Sequence, residues 1–162
     1  MFRTFHHASF YVCCLALLAI RPAFAGSPID SILAAKEEPP GVVFEIVTGK
    51  GDALNWALPQ IKRYIDQLRE RFPGLPVVIV THGQEQFALQ KKHADSAQAV
   101  HSLTQQLGKE GVALHVCGTY AGWKGVAEED FPEYVNVSAA GPAQINDYKA
   151  VGYVLVKISR PQ

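Results

Sequence analysis

The sequence predicts an α/β domain: an open, mostly parallel sheet of five strands with helices on both faces. Three observations carry this: short apolar runs of strand length, stripes of apolar residues at helical spacing, and the regular alternation of the two along the chain. The runs Val42–Val47, Val77–Val80, Val112–Val116, Val135–Val137 and Tyr153–Val156 are nearly continuous. Strands covered on both faces read that way, because neither side of the pleat meets water.

The segments between the runs follow in order. Leu54, Leu58, Ile61, Ile65, Leu68 and Phe72 recur three or four residues apart, which puts them on one face of an amphipathic helix. Pro59 either sits in its first turn or marks a later start, and Pro73-Gly74 ends it. Ala97, Val100, Leu103 and Leu107 form a second stripe, closed by Gly108 or Gly111. Residues 118–133 read as helical or irregular chain. Pro142 to Lys149 is a short helix with proline well placed in its first turn. The 162 residues suit one ordinary domain, and no repeat, low-complexity segment or internal linker interrupts them.

Residues 1–25 read as a secretory signal peptide. Arg3 precedes an apolar run from Phe10 to Ile20, and Ala23-Phe24-Ala25 gives the small-x-small cleavage pattern before Gly26. The run is shorter than the ~18 residues a membrane span needs. Cleavage after Ala25 places the mature chain in the periplasm and removes Cys13 and Cys14. Residues 26–40, with three prolines and Lys36-Glu37-Glu38, read as a flexible leader that packs weakly on the domain, which occupies 41–162.

Composition excludes several classes of function. Apolar residues at 48% supply a core, and 19% charged residues suit a soluble surface. The 15 Lys and Arg balance the 15 Asp and Glu, with no basic stripe, so binding nucleic acid by phosphate neutralisation is not expected.

In open parallel sheets, ligands bind beyond the carboxyl ends of the strands. The segments expected there are Thr48-Gly49, His82-Gly83, Cys117-Gly118-Thr119 and Ser138 to Gly141. Thr48-Gly49-Lys50-Gly51 lacks the full phosphate-loop pattern, GxGxxG is absent, and a tight turn into a helix is the better reading. His82, His115 and Cys117 have neither CxxC nor HExxH spacing, so neither a metal nor a cofactor is expected. After signal cleavage Cys117 is the single cysteine: a free thiol, an inert core residue, or a link to another chain. At the start of a helix it would sit near the positive end of the backbone dipole, which favours the nucleophilic thiolate. His115, two residues earlier on the strand, can face the same side and tune the thiol, while His82 lines the pocket. A cysteine hydrolase would need an orienting Asn or Asp and an oxyanion motif, and none is recognisable.

Residues 111–126 read Gly-Val-Ala-Leu-His-Val-Cys-Gly-Thr-Tyr-Ala-Gly-Trp-Lys-Gly-Val. This segment resembles the active-cysteine segment of the DsrE/DsrF-like family at Gly111, Val112, Leu114, Cys117, Ala121, Gly125 and Val126. The strand ending in His82-Gly83 and the pattern from Val135 to Ile158 are also similar, so the resemblance spans residues 41–159. It implies a flavodoxin-like domain assembled into trimers or hexamers. It also implies that Cys117 accepts sulfur as a persulfide from a donor and passes it to an acceptor protein. The competing expectation is a binding or assembly module of the same fold, in which the strand-end pocket takes a ligand or partner and Cys117 is incidental.

Overall fold

The computed structural model describes residues 26–160; the signal-peptide reading of residues 1–25 lies outside them. In chain order the elements are α1 (Asp30–Leu33), β1 (Val42–Ile46), α2 (Leu54–Arg71), β2 (Val77–Thr81), α3 (Gln98–Lys109), β3 (Ala113–Cys117), α4 (Gly118–Trp123), β4 (Asn136–Ser138), α5 (Gly141–Ala150) and β5 (Val154–Lys157). Two 3₁₀ segments, Gln84–Leu89 and Lys91–His93, link β2 to α3, and a third, Glu128–Asp130, precedes β4. The five apolar runs are the five strands. All are parallel, in the order β4-β3-β2-β1-β5. This is the open, flavodoxin-like α/β architecture that the alternating pattern predicts.

The pleat divides the strands between two layers. On one face Val42, Phe44 and Ile46 of β1, Val77 and Ile79 of β2, and Leu114 and Val116 of β3 pack against α1, α2 and α3. On the other, Val43, Val78 and Val80 pack under Ile145 and Tyr148 of α5. Every member of the α2 stripe from Leu54 to Phe72 is buried. The helix starts at Leu54, ahead of Pro59, so the proline lies beyond the first turn, on the exposed side where its missing N–H is least costly.

The leader differs from expectation. Ile29 is wholly buried and Ile32 nearly so, both within the main core. Residues 29–35 therefore belong to the folded domain rather than lying loosely upon it. The reason is local: α1 presents Ile29 and Ile32 on one side of a single helical turn, and the α2 face offers apolar surface to cover them. Among the described residues no helix is long and apolar enough to cross a membrane.

Candidate functional site

Strand β3 delivers Cys117 to the carboxyl edge of the sheet, where it is both the last strand residue and the N-cap of α4. The backbone stays extended at φ −88°, ψ 109°, and the next residues turn into helix. Sγ accepts the Tyr120 backbone N–H at 3.4 Å, a contact that a sulfur anion receives as readily as a thiol. The thiol is free and only 5% exposed.

Two buried polar side chains that sequence reasoning missed hold this edge together. Gln86 donates its amide to the Cys117 carbonyl at 3.2 Å and accepts the Cys117 N–H at 2.9 Å. It thereby acts as a surrogate neighbouring strand where β2 turns away. Glu85 accepts four hydrogen bonds: Thr81 Oγ1 at 2.7 Å and Gly83 N–H at 2.8 Å on one oxygen, Thr48 N–H at 2.8 Å and Thr48 Oγ1 at 2.9 Å on the other. Both side chains are fully buried. Their 3₁₀ segment has no helical or alternating apolar period, and their partners are mostly backbone groups, so no spacing rule marks them.

The glycines and Thr119 fit this frame by close approach. A Cβ on Gly83 would collide with the Thr48 backbone and the Glu85 carboxylate. One on Gly118 would come within 3.1 Å of the Ser138 carbonyl. Thr119 donates its N–H and its hydroxyl to the Ala139 carbonyl, at 3.0 and 2.6 Å, tying the start of α4 to the β4–α5 turn. A cavity of about 430 Å³ opens there, lined by Gly118, Ala121, Val126, Val137, Ser138 and Ala139 together with Glu128. Thr48 and Gly49 line a different cavity, so the single expected pocket is divided in two. A larger cavity, about 740 Å³, lies at the opposite, amino end of β3 beside Gly111 and Asn136, away from every residue of this edge.

The histidines are engaged elsewhere than at the thiol. His82 Nε2 lies 2.9 Å from Glu45 Oε1, and Lys157 Nζ lies 3.7 Å from the other carboxylate oxygen. Glu45 was visible in the sequence as the one charge inside the apolar β1 run. His115 Nδ1 is 2.9 Å from Ser138 Oγ, and its Nε2 is 3.0 Å from the Tyr148 hydroxyl. Ser138 spends its single proton on Gln144 Oε1 at 3.0 Å, so His115 must carry hydrogen on Nδ1 and accept from Tyr148 on Nε2. Burial keeps Tyr148 protonated by raising its pKa, with Tyr153 adding to the effect, and burial likewise lowers the pKa of His115. The neutral imidazole is thus fully satisfied by β4 and α5, and neither of its nitrogens is left for Cys117.

A pH dependence follows. Below the ordinary histidine value of about 6.5 the unfolded chain takes up a proton that folded His115 resists. The folded state binds fewer protons, so this stability is present above pH 6.5 and is lost as pH falls toward the depressed folded value. We expect the urea midpoint to drop between pH 7.5 and 5.5 (about these values, on the same scale), and to drop less in His115→Gln. Equal drops in both proteins would remove His115 from the account.

No family model matches the chain, and no curated protein matches it. Solved structures do. A protein of unknown function, MTH1491 from Methanobacterium thermoautotrophicum, aligns at a TM-score of 0.58 and 18% identity, over 72% of this chain and 97% of its own. The ychN protein from E. coli aligns at a TM-score of 0.52 and 13% identity, over 73% of this chain and 98% of its own. At these identities the likeness is one of fold. What is shared is the open, parallel α/β, flavodoxin-like architecture.

Proposed function

We propose that this protein is a periplasmic sulfur carrier of the DsrE-like kind, which holds sulfane sulfur as a persulfide on Cys117 and works as a trimer or hexamer. The supporting observation is the way Cys117 is held: its backbone is clamped at both N–H and C=O by Gln86, and its sulfur is met by the Tyr120 N–H. In the loading step the Cys117 thiolate attacks the outer sulfur of a donor persulfide. One S–S bond forms, the donor's S–S bond breaks, and the donor leaves as a thiolate that takes up the proton Cys117 gave away. An acceptor protein's thiolate then attacks the outer sulfur on Cys117 in the same manner and regenerates the thiol.

The burial of Cys117 favours a second reading, a binding or assembly module in which the thiol is incidental. One experiment separates the two. Intact mass is measured on the mature protein, purified without reductant, before and after exposure to inorganic polysulfide. The carrier gains one sulfur atom, loses it to reductant, and gains none as Cys117→Ser with its fold retained. An unmodified wild-type mass, or the same gain in Cys117→Ser, rejects the carrier and leaves the binding module.

A further inference from the structure

The strand order reverses at β1. The chain steps outward from β1 to β2, β3 and β4, then returns to place β5 on the other side of β1. The covering helices change faces with it: α2 and α3 lie on one face and α5 on the other. Ligands bind beyond the carboxyl ends of the strands in open parallel sheets, and here the segments leaving the adjacent strands β1 and β5 come together. A cavity of about 320 Å³ occupies that place. The loop after β1 supplies Val47, Thr48 and Lys50, the first turn of α2 supplies Trp56, and the chain after β5 supplies Ile158 and Arg160.

The walls differ in chemistry from the rim. Trp56 is half-buried and Ile158 buried, and Val47, at 54%, is one of the few large apolar side chains left exposed. The rim carries Lys50 and Arg160, both exposed, and neither forms an ion pair among the described residues. Asp52, the carboxylate of the same loop, lines a neighbouring cavity instead. An aromatic side chain and two cations in one lining suit a flat ligand with a negative edge.

We propose that this cavity binds a flat apolar ring bearing one anionic group, an aryl sulfonate or aryl carboxylate in class. The ring lies on Trp56 and Ile158, and the charge sits between Lys50 and Arg160. The cavity shares no lining residue with the one beside Cys117, so the site stands whether or not Cys117 carries sulfur.

The chain has two tryptophans, Trp56 and Trp123, and Trp123 is 77% exposed on α4. Trp123→Phe therefore leaves Trp56 as the only tryptophan at little structural cost. The probe is anilinonaphthalene sulfonate, which accepts energy from tryptophan; its uncharged parent, phenylnaphthylamine, is the control. The expected result is saturable energy transfer from Trp56 at one site per chain. Binding should weaken about tenfold in Lys50→Gln/Arg160→Gln, the loss of two exposed charge contacts, and the parent should bind weaker by a similar factor. Because both cations are exposed, the double variant should melt with the parent protein. Absence of saturable transfer overturns the proposal. So does equally tight binding of the dye to the double variant, or of the parent to the wild type, since either result reports apolar adsorption without the cationic rim.

Discussion

Glu85→Ala should cost about 3–5 kcal/mol, a large share of the roughly 5–15 kcal/mol that holds an ordinary domain together. The carboxylate is fully buried and receives two backbone N–H groups and two hydroxyls from Thr48 after β1 and from Thr81 and Gly83 at the end of β2. Alanine leaves the part-buried Thr48 N–H and the buried Gly83 N–H without their acceptor. The threonine hydroxyls can rotate toward other acceptors, but the amides cannot. Glu85→Gln is a sharper test of the same idea. It puts an NH₂ group against donors at one end of the side chain, so it too should destabilise, by about 2 kcal/mol. Urea denaturation of both variants measures this. A loss below about 1 kcal/mol for the alanine variant would mean that the carboxylate does not clamp these loops. The effect reaches the thiol, because Gln86 follows Glu85 directly and holds Cys117 by both backbone groups. Alkylation of Cys117 in folded Glu85→Gln should therefore outpace that in the wild type.

Starting the protein at Lys36 rather than at Gly26 should be comparably damaging. Ile29 and Ile32 are both in the main core. Truncating one buried isoleucine to alanine costs about 2–5 kcal/mol, and deleting both with their backbone costs at least about 4 kcal/mol. The thermal midpoints of the deletion and of Ile29→Ala, each against wild-type protein of residues 26–162, check this. An unchanged midpoint in the deletion would show the segment to be peripheral.

Residues 26–40 show the limit of what apolar pattern conveys. Ile29, Ile32 and Leu33 do have helical spacing, but over one turn, between Pro28 and the charged Lys36-Glu37-Glu38. Periodicity speaks only when it repeats, as it does through six positions of α2. The strands were legible for the same reason: burial on both faces leaves an unbroken run of Val and Ile in a short window. Strand order was not legible. Nothing in Tyr153–Val156 says that it pairs with β1 rather than β4; the preceding short helix could lead back over either face.

At the site, Cys117 was legible because the β3 run ends on it. The parity of a strand placed His115 within reach of the same face, but parity is silent about what packs there. The partners of His115 come from Ser138 and Tyr148, which are 23 and 33 residues away in the chain. Glu85 and Gln86 left no periodic trace, since a polar residue serving backbone groups obeys local geometry rather than a repeat. The one unread signal was Glu45, a carboxylate in an otherwise apolar strand and the partner of His82.

The seat of β5 against β1 also governs when the domain can exist during synthesis. Val42, Val43, Phe44 and Glu45 pair on one side with β2, and on the other with Val154, Leu155, Val156 and Lys157 near the end of the chain. Until β5 leaves the ribosome, one side of β1 is an open edge. Such an edge is both the slowest kind of contact to close and a template for pairing with another molecule. From the synthesis of β1 until that of β5 the nascent chain therefore lacks a native sheet to fall into and is available to chaperones. It commits to its structure only once β5 is made.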